Sequence, residues 1–413
     1  MMRILIMDDT PAKTEKIKSV LTGKCMLGEN TITVARSINS GRRLLSANLY
    51  DLLILDLVMP VNDGEELEAQ GQSERFIEEM SRVGRLNKPT YIIALTQYED
   101  KIREHQQTYS KKLWKLIHYN LRETDWEDVL QDAVDTIVET KKKLLEQIEK
   151  ENRYDIGLLC ALPEEFDMMK AASGVDWLMK ENDNSPFNLY TAQVRTENGH
   201  LLKLLACCCN VAGMQAASVA ATYLLSRYNL PMLMMTGFCA GFKKDTIHRG
   251  DLFISDSEYD YGSGKLARNS NDEQILKTEQ KQYPCSFELL GKLNAFITQE
   301  SMPAKLRAEL ERVGMLLDDM GIPTIHVAPG TCGSYVVGDA AFMQKLLAEG
   351  NRKLTGLDME GYGLYLAGHM LKKDCVLVKG IADYGDGNKN DEYHPTCAYA
   401  SAWFVIQFIK KML

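Results

Sequence analysis

The sequence predicts an α/β protein in which two domains follow one another along the chain. Short apolar segments of strand length alternate with amphipathic helical segments through most of the 413 residues. Such alternation is typical of sheets that carry helices on their faces. The chain is long enough for two hydrophobic cores, and its 45% hydrophobic and 25% charged residues are ordinary values for globular proteins.

The first series of predicted elements occupies residues 1–125 and indicates a flavodoxin-like, doubly wound parallel sheet. An amphipathic helix is expected from about Pro11 to Leu21, directly after the first apolar segment. Helical patterns also separate the later apolar segments, as a parallel sheet requires. The five predicted strands are Arg3 to Met7, the region near Thr31 to Ala35, LLILDL around Asp56, YIIALT ending at Thr96, and Leu113 to Tyr119.

A long charged helix is predicted for residues 126–152, between the two series. Val129, Ala133, Ile137, Leu144 and Ile148 recur on it at multiples of three to four residues. The pattern fits either the last helix of the first domain with a solvent-exposed extension or a dimerising coiled coil, although fewer than four heptads are present. The segment is therefore interpreted as a helical connector.

The second series fills residues 153–413 and predicts an α/β domain with a mixed central sheet. Its strand-like segments begin with YDIGLLCAL and end with DCVLVKGIA, and a helix from Thr396 to Met412 follows. One segment, LLKLLACCC, holds three consecutive cysteines, and the sequence contains no CxxC pair. Buried, reduced thiols are therefore expected rather than disulfides or structural zinc.

The charge and the hydropathy pattern exclude two classes of partner. A formal net charge of −9 leaves no broad basic surface for nucleic-acid phosphates. The opening segment MMRILIMDD has no apolar signal core, and no apolar run approaches the roughly 20 residues of a membrane span. A cytoplasmic location without nucleic-acid or membrane partners is predicted.

Acidic residues in the first domain stand at the ends of predicted strands. Asp8 and Asp9 end one strand, Asp56 lies near the end of another, and Thr96 ends a third. Because the carboxyl ends of parallel strands meet at one edge of the sheet, these side chains are expected to converge there. Three carboxylates suit a magnesium ion, which would hold a phosphoryl donor against Asp56 as nucleophile.

These residues, with the DLVMP segment that begins at Asp56 and the ALT that ends at Thr96, resemble the response-regulator receiver family over about 125 residues. The resemblance implies that Asp56 is the phospho-acceptor, that Asp8 and Asp9 are magnesium ligands together with it, and that Thr96 is the switch hydroxyl. It also implies an upstream sensor histidine kinase as partner.

One departure from the receiver pattern concerns its lysine at the end of the fifth strand. That lysine should fall near Tyr119, where the chain reads HYNLR. Lys111, Lys112 or Lys115 would each need a shifted register to replace it. The alternative interpretation is a receiver-like fold that only docks partners, because a missing cation removes a stabiliser of phosphoryl charge.

Carboxylates in the second domain also stand at or just after predicted strands. Cleavage of a purine from ribose needs an acid for the base, a carboxylate near the sugar and an activated water. Edge placement fits a ligand site of this kind. The candidates are Glu164 and Glu165 in ALPEEF, Asp358 and Glu360 in DMEGYG, and Asp383 and Asp386 in GIADYGDG.

The same segments resemble the nucleoside phosphorylase superfamily, and in particular its methylthioadenosine/S-adenosylhomocysteine nucleosidase branch, over nearly all of residues 154–413. The resemblance implies that Glu165 activates water, that Glu360 binds ribose hydroxyls, and that Asp383 donates a proton to purine N7. Met359 would pack on the sugar, and Gly237 lies in MTGFCAG, which looks like the family's glycine-rich turn. Asp383 would have to be protonated at neutral pH, and Glu360 would stay ionised.

The resemblance also assigns a base-binding segment and a nucleophile. In GTCGSYVV, Tyr335 and Val336 would contact the purine and backbone groups near Val337 would read its edge, which favours adenine. Phosphorolytic relatives have an arginine where this chain has Met235. Because a general base suits water whereas a carboxylate repels phosphate, Glu165 without that arginine favours hydrolysis.

A group of cations follows the glycine-rich turn and predicts a rim for a 5′-phosphorylated substrate, although a solvated surface is the alternative for any single member. The polar stretch 262–282 is expected to form a loop over the site. The cations are Lys243, Lys244, His248, Arg249, Lys265 and Arg268.

The combination of the two domains resembles effectors of Detocs-type phage-defence systems, which implies cleavage of ATP to adenine and ribose 5′-triphosphate after phosphorylation of Asp56. An adenine nucleotide is thus the expected substrate, a homo-oligomer the expected assembly, and no cofactor is expected in the nucleosidase. Two alternatives remain: a regulated methylthioadenosine or adenosylhomocysteine nucleosidase, and a purine-nucleotide-binding signalling module without turnover.

Overall fold

The structure is a computed structural model, and the chain divides into two compact units, Met1–Glu151 and Asn152–Leu413. No helix among the described residues combines the length and the apolar character needed to cross a membrane. The described residues are 2–65, 72–81, 86–98, 115–120, 122–181, 184–268, 270, 272, 274–387 and 391–413.

The first unit is built on a five-stranded sheet in the order β2-β1-β3-β4-β5, and all of its strand pairs are parallel. This order is that of flavodoxin-like doubly wound sheets. Every residue of the first and third strands is buried, as expected for strands covered on both faces. The strands are β1 (Ile4–Met7), β2 (Ile32–Ala35), β3 (Leu52–Leu55), β4 (Tyr91–Thr96) and β5 (Lys115–His118).

Helices cover both faces of this sheet and form two separate hydrophobic clusters. Ile4 and Ile6 pack in one cluster with residues of α1 and α4, whereas Leu5 and Met7 pack in the other with residues of α2 and α3. The alternation follows from the two-residue period of a strand. The helices are α1 (Pro11–Ser19), α2 (Ile38–Ala47), α3 (Gln72–Ser81) and α4 (Asp125–Glu151), with a π-helical turn over Val20–Lys24 and a 3₁₀ turn over Glu29–Thr31.

Helix α4 contains the predicted connector. Trp126, Leu130 and Val134 in its first half are buried in the core of the first unit. Leu144 and Ile148 in its second half are exposed. The same helix therefore completes the first core and continues beyond it.

The second unit is built on a ten-stranded mixed sheet, as the sequence predicts. Strands β6, β9, β10 and β17 are joined in parallel pairs, whereas β16 pairs antiparallel with the end of β10. The strands are β6 (Ile156–Cys160), β7 (Leu178–Met179), β8 (Leu189–Arg195), β9 (Leu201–Cys208), β10 (Met232–Gly241), β11 (Leu252–Asp260), β14 (Tyr283–Pro284), β15 (Ile325–Cys332), β16 (Gly356–Asp358) and β17 (Asp374–Asp383).

Seven helices flank this sheet in the described part of the second unit. The last of them is buried along most of its length, which explains why its sequence is apolar on nearly every face. The helices are α5 (Pro163–Ser173), α6 (Met214–Arg227), α7 (Phe287–Gln299), α8 (Met302–Arg312), α9 (Ala340–Glu349), α10 (Gly361–Leu371) and α11 (Tyr393–Met412).

The stretch 262–282 was predicted as a loop, and this prediction is wrong for residues 264–268 and 274–278. Strands β12 (Gly264–Arg268) and β13 (Gln274–Thr278) pair antiparallel as a separate two-stranded sheet. Most of their side chains are exposed or only half-buried, so the sequence lacks the apolar alternation by which a half-buried strand is detected.

Candidate active site

The second unit has a cavity of about 380 Å³ at one edge of its sheet. The parallel strands β6, β10 and β17 reach their carboxyl ends there. Strand β16 pairs with the end of β10 and brings Met359 and Glu360 to the same cavity. The cavity therefore lies where α/β sheets commonly bind ligands.

Glu165 lies in the first turn of α5, just after β6, and lines the cavity. One carboxylate oxygen, Oε2, accepts hydrogen bonds from the backbone N–H groups of Ala161 (2.8 Å) and Leu162 (3.1 Å). The other, Oε1, accepts one from the N–H of Phe238 on β10 (3.1 Å). These three donors fix the orientation of a side chain that is 2% exposed.

Gly237 supports Glu165 instead of lining the cavity. Its φ is +147°, and a Cβ atom at this position would lie 1.8 Å from Glu165 Oε1. Only glycine satisfies both the backbone conformation and this close approach. The predicted substrate contact of Gly237 is therefore replaced by a packing role behind the carboxylate.

Glu360 follows β16 and precedes α10, and it also lines the cavity. Its Oε1 atom accepts a hydrogen bond from the N–H of Gly213 (2.8 Å). Asp358, two residues earlier, accepts from the N–H of Gly361 with both oxygens. Burial, followed by the charge of Glu360, raises the pKa of Asp358 to about 7. Glu360 is thus anchored at the cavity beside a second, deeply buried carboxyl.

Lys379 is a site residue that the sequence analysis missed. It lies on β17 and is 1% exposed, and its Nζ is 2.9 Å from Glu165 Oε1 and 3.5 Å from Glu360 Oε2. Burial alone would lower the pKa of Lys379, but the charges of Glu165 and Glu360 outweigh burial and raise it. The ammonium group therefore joins the two carboxylates that would otherwise repel each other. A lysine inside the apolar segment DCVLVKGIA was the available signal, because a buried cation requires anionic partners.

Asp383 ends β17 and lines the cavity, as predicted. Its Oδ1 atom accepts a hydrogen bond from the N–H of Gly385 (2.7 Å). Asp386, another candidate carboxylate of the same segment, is not among the described lining residues, and its Oδ2 lies 4.0 Å from Lys243 Nζ.

The remaining lining is aromatic and aliphatic. Tyr335, Val336 and Val337 contribute to it as predicted, together with Met359. Two further members are Phe238 and His394, whose rings stack with centroids 4.0 Å apart and an angle of 14° between their planes. His394 lies in the first turn of α11. These surfaces are suited to a flat base and a sugar.

The predicted cationic rim is not found on this cavity. None of its six members is among the described lining residues. Arg249 instead pairs with Asp319 at 3.0 Å and lies over the ring of Tyr393, and Lys244 donates to the backbone carbonyls of Arg352 and Leu354. Lys243 and Lys265 are also absent from the described lining. The Nζ of Lys243 lies over the ring of Tyr384, and Lys265 lies in the β12–β13 pair.

The first unit brings Asp8, Asp9 and Asp56 together as predicted, with carboxylate oxygens within 4.8 Å of one another. Three carboxylates fit a hard divalent cation such as Mg²⁺. Thr96 is fully buried at the end of β4, and its Oγ1 accepts a hydrogen bond from the N–H of Tyr98. Burial, as the largest influence, raises the pKa of Asp8 to about 6 and also raises that of Asp56.

A lysine does enter this acidic cluster, but it comes from helix α1, whose lysines were not among the predicted replacements. Lys13 of α1 places its Nζ 2.9 Å from Asp8 Oδ2 and 2.6 Å from Asp56 Oδ2. Lys115 is no replacement, because it is exposed on β5 and directs its Nζ to the carbonyl of Val129. Lys111 and Lys112 lie outside the described residues.

Comparison with known proteins identifies the family of the second unit. The phosphorylase superfamily profile matches residues 155–412, which is more than half of the chain. The chain therefore belongs to the phosphorylase superfamily. The matched segment begins after the first unit and does not include it.

Relatives cover either the whole chain or part of it. The chain is 24% identical to protein y4jS of Sinorhizobium fredii over 421 residues and the full length of both proteins. It is 23% identical to the ATP nucleosidase Cap17 of Escherichia coli over 272 residues, which are 61% of this chain and 50% of that protein. The chain thus spans about half the length of Cap17.

Solved structures also resemble the chain over 62% of its length. One is the 5′-methylthioadenosine/S-adenosylhomocysteine nucleosidase of Helicobacter pylori, with a TM-score of 0.48, 14% identity and 97% of that chain covered. Another is the futalosine hydrolase of the same organism, with a TM-score of 0.46, 15% identity and 97% coverage.

The position of Glu360 leads to a direct prediction. A Glu360→Gln variant is expected to keep its fold, because Gln can still accept from the N–H of Gly213, and to lose roughly 10²-fold in kcat/KM, as removal of one preorganised electrostatic group does. Release of free base measured by chromatography checks the activity. The matched control is Glu164→Gln, since Glu164 lines the same cavity but its side chain is 57% exposed. Full activity in Glu360→Gln would remove the role assigned to Glu360.

Proposed function

We propose that the second unit hydrolyses the N-glycosidic bond of an adenine nucleotide, with ATP as the preferred substrate. The observation that supports this reaction type is the placement of Glu165, Glu360 and Asp383 around one cavity, with Lys379 buried between the first two. Curated relatives named ATP nucleosidase support the same reaction and suggest the nucleotide.

In the proposed reaction a water molecule attacks C1′ of the ribose, and the bond from C1′ to N9 breaks with its electron pair moving to the purine. Asp383 gives a proton to N7 of the leaving base, and Glu165 accepts a proton from the attacking water. Glu360 binds the ribose hydroxyls, and its charge stabilises the positive sugar of the transition state. The products are adenine and the phosphorylated ribose.

Water is the proposed nucleophile in preference to phosphate. Met235, at the position where phosphorolytic relatives have an arginine, is fully buried within β10. The described lining includes the acidic residues Glu164, Glu165, Glu360 and Asp383. Their charges make the cavity unfavourable for a phosphate ion as nucleophile.

The same acidity supports a second candidate substrate, a methylthioadenosine-like nucleoside with an uncharged 5′ group. Within the described residues no lysine or arginine lines the cavity, and the stacked Phe238 and His394 form an aromatic part of it. A triphosphate would therefore have to extend towards the solvent, where its charge stays hydrated. The two candidates therefore differ in whether ATP or methylthioadenosine is the better substrate.

The test is to incubate the purified full chain with ATP, AMP, adenosine and methylthioadenosine, and to measure free adenine by chromatography. Adenine released chiefly from ATP supports the proposal. Release only from methylthioadenosine would favour the second candidate, and binding without release from any of them would indicate a signalling module.

The proposal extends to the first unit as a response-regulator receiver that controls the nucleosidase of a homo-oligomeric phage-defence effector. Asp56 accepts a phosphoryl group from a sensor histidine kinase or an acyl phosphate, and Thr96 responds to it. Mg²⁺ bound by Asp8, Asp9 and Asp56 would neutralise charge on the phosphoryl group. The supporting observations are the parallel sheet order and the cluster of three carboxylates.

An Asp56→Asn variant is expected to fold and to show no change in adenine release when acetyl phosphate and Mg²⁺ are added, because the nucleophilic carboxylate is gone. Adenine release from wild type and variant, each with and without the phosphodonor, checks this expectation. The matched control is Asp63→Asn, an exposed aspartate of the same unit. If acetyl phosphate changed adenine release by Asp56→Asn as much as by the wild-type protein, the regulatory site would lie elsewhere.

A further inference from the structure

Lys13 makes three hydrogen bonds or ion pairs inside the acidic cluster of the first unit. Its Nζ contacts Asp8 Oδ2 at 2.9 Å, Asp56 Oδ2 at 2.6 Å and the carbonyl oxygen of Leu95 at 2.8 Å. The residue is only 3% exposed. All three protons of the ammonium group are therefore used, and they join the ends of β1, β3 and β4.

Tyr119 occupies the place next to this ammonium group. It follows β5, and the centre of its ring lies 5.2 Å from Lys13 Nζ. Its hydroxyl oxygen is buried and has no hydrogen-bond partner among the described residues. The residue that follows β5 is thus aromatic, and the cation of the cluster comes from α1 instead. A lysine at position 119 would be close to the same carboxylates.

We propose that Lys13 is the residue that positions and neutralises Asp56 for phosphoryl transfer, a role performed here from α1. The proposal rests on the phosphorylation of Asp56 proposed above. An Oδ atom of Asp56 attacks the phosphorus of an acyl phosphate, and the bond from phosphorus to the carboxylate leaving group breaks, with the electron pair leaving on that carboxylate. Lys13 then donates to an oxygen of the phosphoryl group, as a cation beside a phosphate does.

The contacts of Lys13 also connect the phospho-acceptor to the proposed switch residue. Leu95, whose carbonyl accepts from Lys13, directly precedes Thr96 on β4. A shift of the ammonium group towards a new phosphoryl oxygen would weaken the bond to this carbonyl. Asp9 makes no ion pair with Lys13 among the described contacts, so its carboxylate stays available for a divalent cation.

The experiment compares phosphorylation of full-length variants by acetyl phosphate in the presence of Mg²⁺, measured as acid-labile, base-labile phosphate by mass spectrometry. Lys13→Met is expected to be phosphorylated roughly 10²-fold more slowly, since it removes a preorganised charge from the transition state. Lys18→Met removes a charge from an exposed pair on the same helix and is expected to behave as wild type.

A relocated cation separates loss of function from loss of folding. The double variant Lys13→Met/Tyr119→Lys returns an ammonium group to the cluster from the end of β5, and it is expected to recover at least about a tenth of the wild-type rate. Circular dichroism and thermal unfolding show whether each variant is folded. Recovery in the double variant, with Lys13→Met slow, supports the proposal.

Three results would overturn the proposal in distinguishable ways. Equal phosphorylation rates of wild type and Lys13→Met would exclude a role for Lys13 while leaving Asp56 as the acceptor. Absence of phosphate on Asp56 of the wild-type protein would exclude both the phosphorylation and the assigned role of Lys13. A folded but unphosphorylated double variant would show that the position of the cation on α1 has a purpose other than its charge, and so would also contradict the inference.

Discussion

An Asp383→Asn variant is expected to bind substrate and to lose roughly 10³-fold or more in kcat, within the range attributed to general acid catalysis. The purine is a poor leaving group unless N7 is protonated, and an amide cannot supply that proton. Asn can still accept the hydrogen bond from the N–H of Gly385, so the end of β17 should keep its conformation. Single-turnover assays of adenine release, together with calorimetric measurement of substrate affinity, separate the chemical step from binding.

Asp391→Asn is the matched control for Asp383→Asn. Asp391 lines the same cavity but its side chain is 78% exposed at the mouth, so the same change there should reduce kcat by less than about threefold. If Asp383→Asn kept wild-type kcat, protonation of the base by this carboxyl would be excluded. If both variants lost activity equally, the loss would reflect the general charge of the cavity.

The architecture could be predicted from the sequence because it depends on patterns that are local along the chain. Apolar segments such as LLIL and LLKLLACC became strands β3 and β9, and the mixed sheet of the second unit was confirmed. The β12–β13 pair was missed because it is exposed and has no buried face to impose alternation. Most strands can be predicted from a sequence because their buried face requires apolar residues, and these two strands have no such face.

The anionic part of each site was also predictable, whereas its cationic part was not. Carboxylates at strand ends converge because parallel strands end at one edge. Lys13 and Lys379 could not be assigned in the same way, since 43 residues separate Lys13 from Asp56 and 214 separate Lys379 from Glu165. Two cations of the predicted rim, Arg249 and Lys244, instead contact Asp319 and the carbonyl of Leu354.

A Lys379→Met variant is expected to lose about 3–5 kcal/mol of folding stability, the usual cost of removing one partner from a buried ion pair. Glu165 and Glu360 would then face each other without the ammonium group that lies 2.9 Å from one and 3.5 Å from the other. Methionine nearly fills the volume of lysine, so a cavity is not the cause of the loss. Thermal and denaturant unfolding measure the change, and turnover is expected to fall even below the unfolding transition because the negative charges of Glu165 and Glu360 are no longer compensated.

The double variant Lys379→Met/Glu165→Gln determines whether charge or packing is responsible. Gln removes one of the two uncompensated negative charges, and its single carbonyl oxygen can still accept from the backbone N–H groups of Ala161 and Leu162, but it loses the acceptor for Phe238, so at most about half of the lost stability should return. Activity should not return with it, since an amide cannot take a proton from water. Lys373→Met removes a lysine that is hydrogen-bonded to Asn229 at the surface. It should change the folding stability by no more than about 0.5 kcal/mol and leave turnover unchanged. If Glu165→Gln failed to restore stability in this background, Lys379 would be a packing residue, and the two carboxylates would have to be held apart by their backbone donors alone.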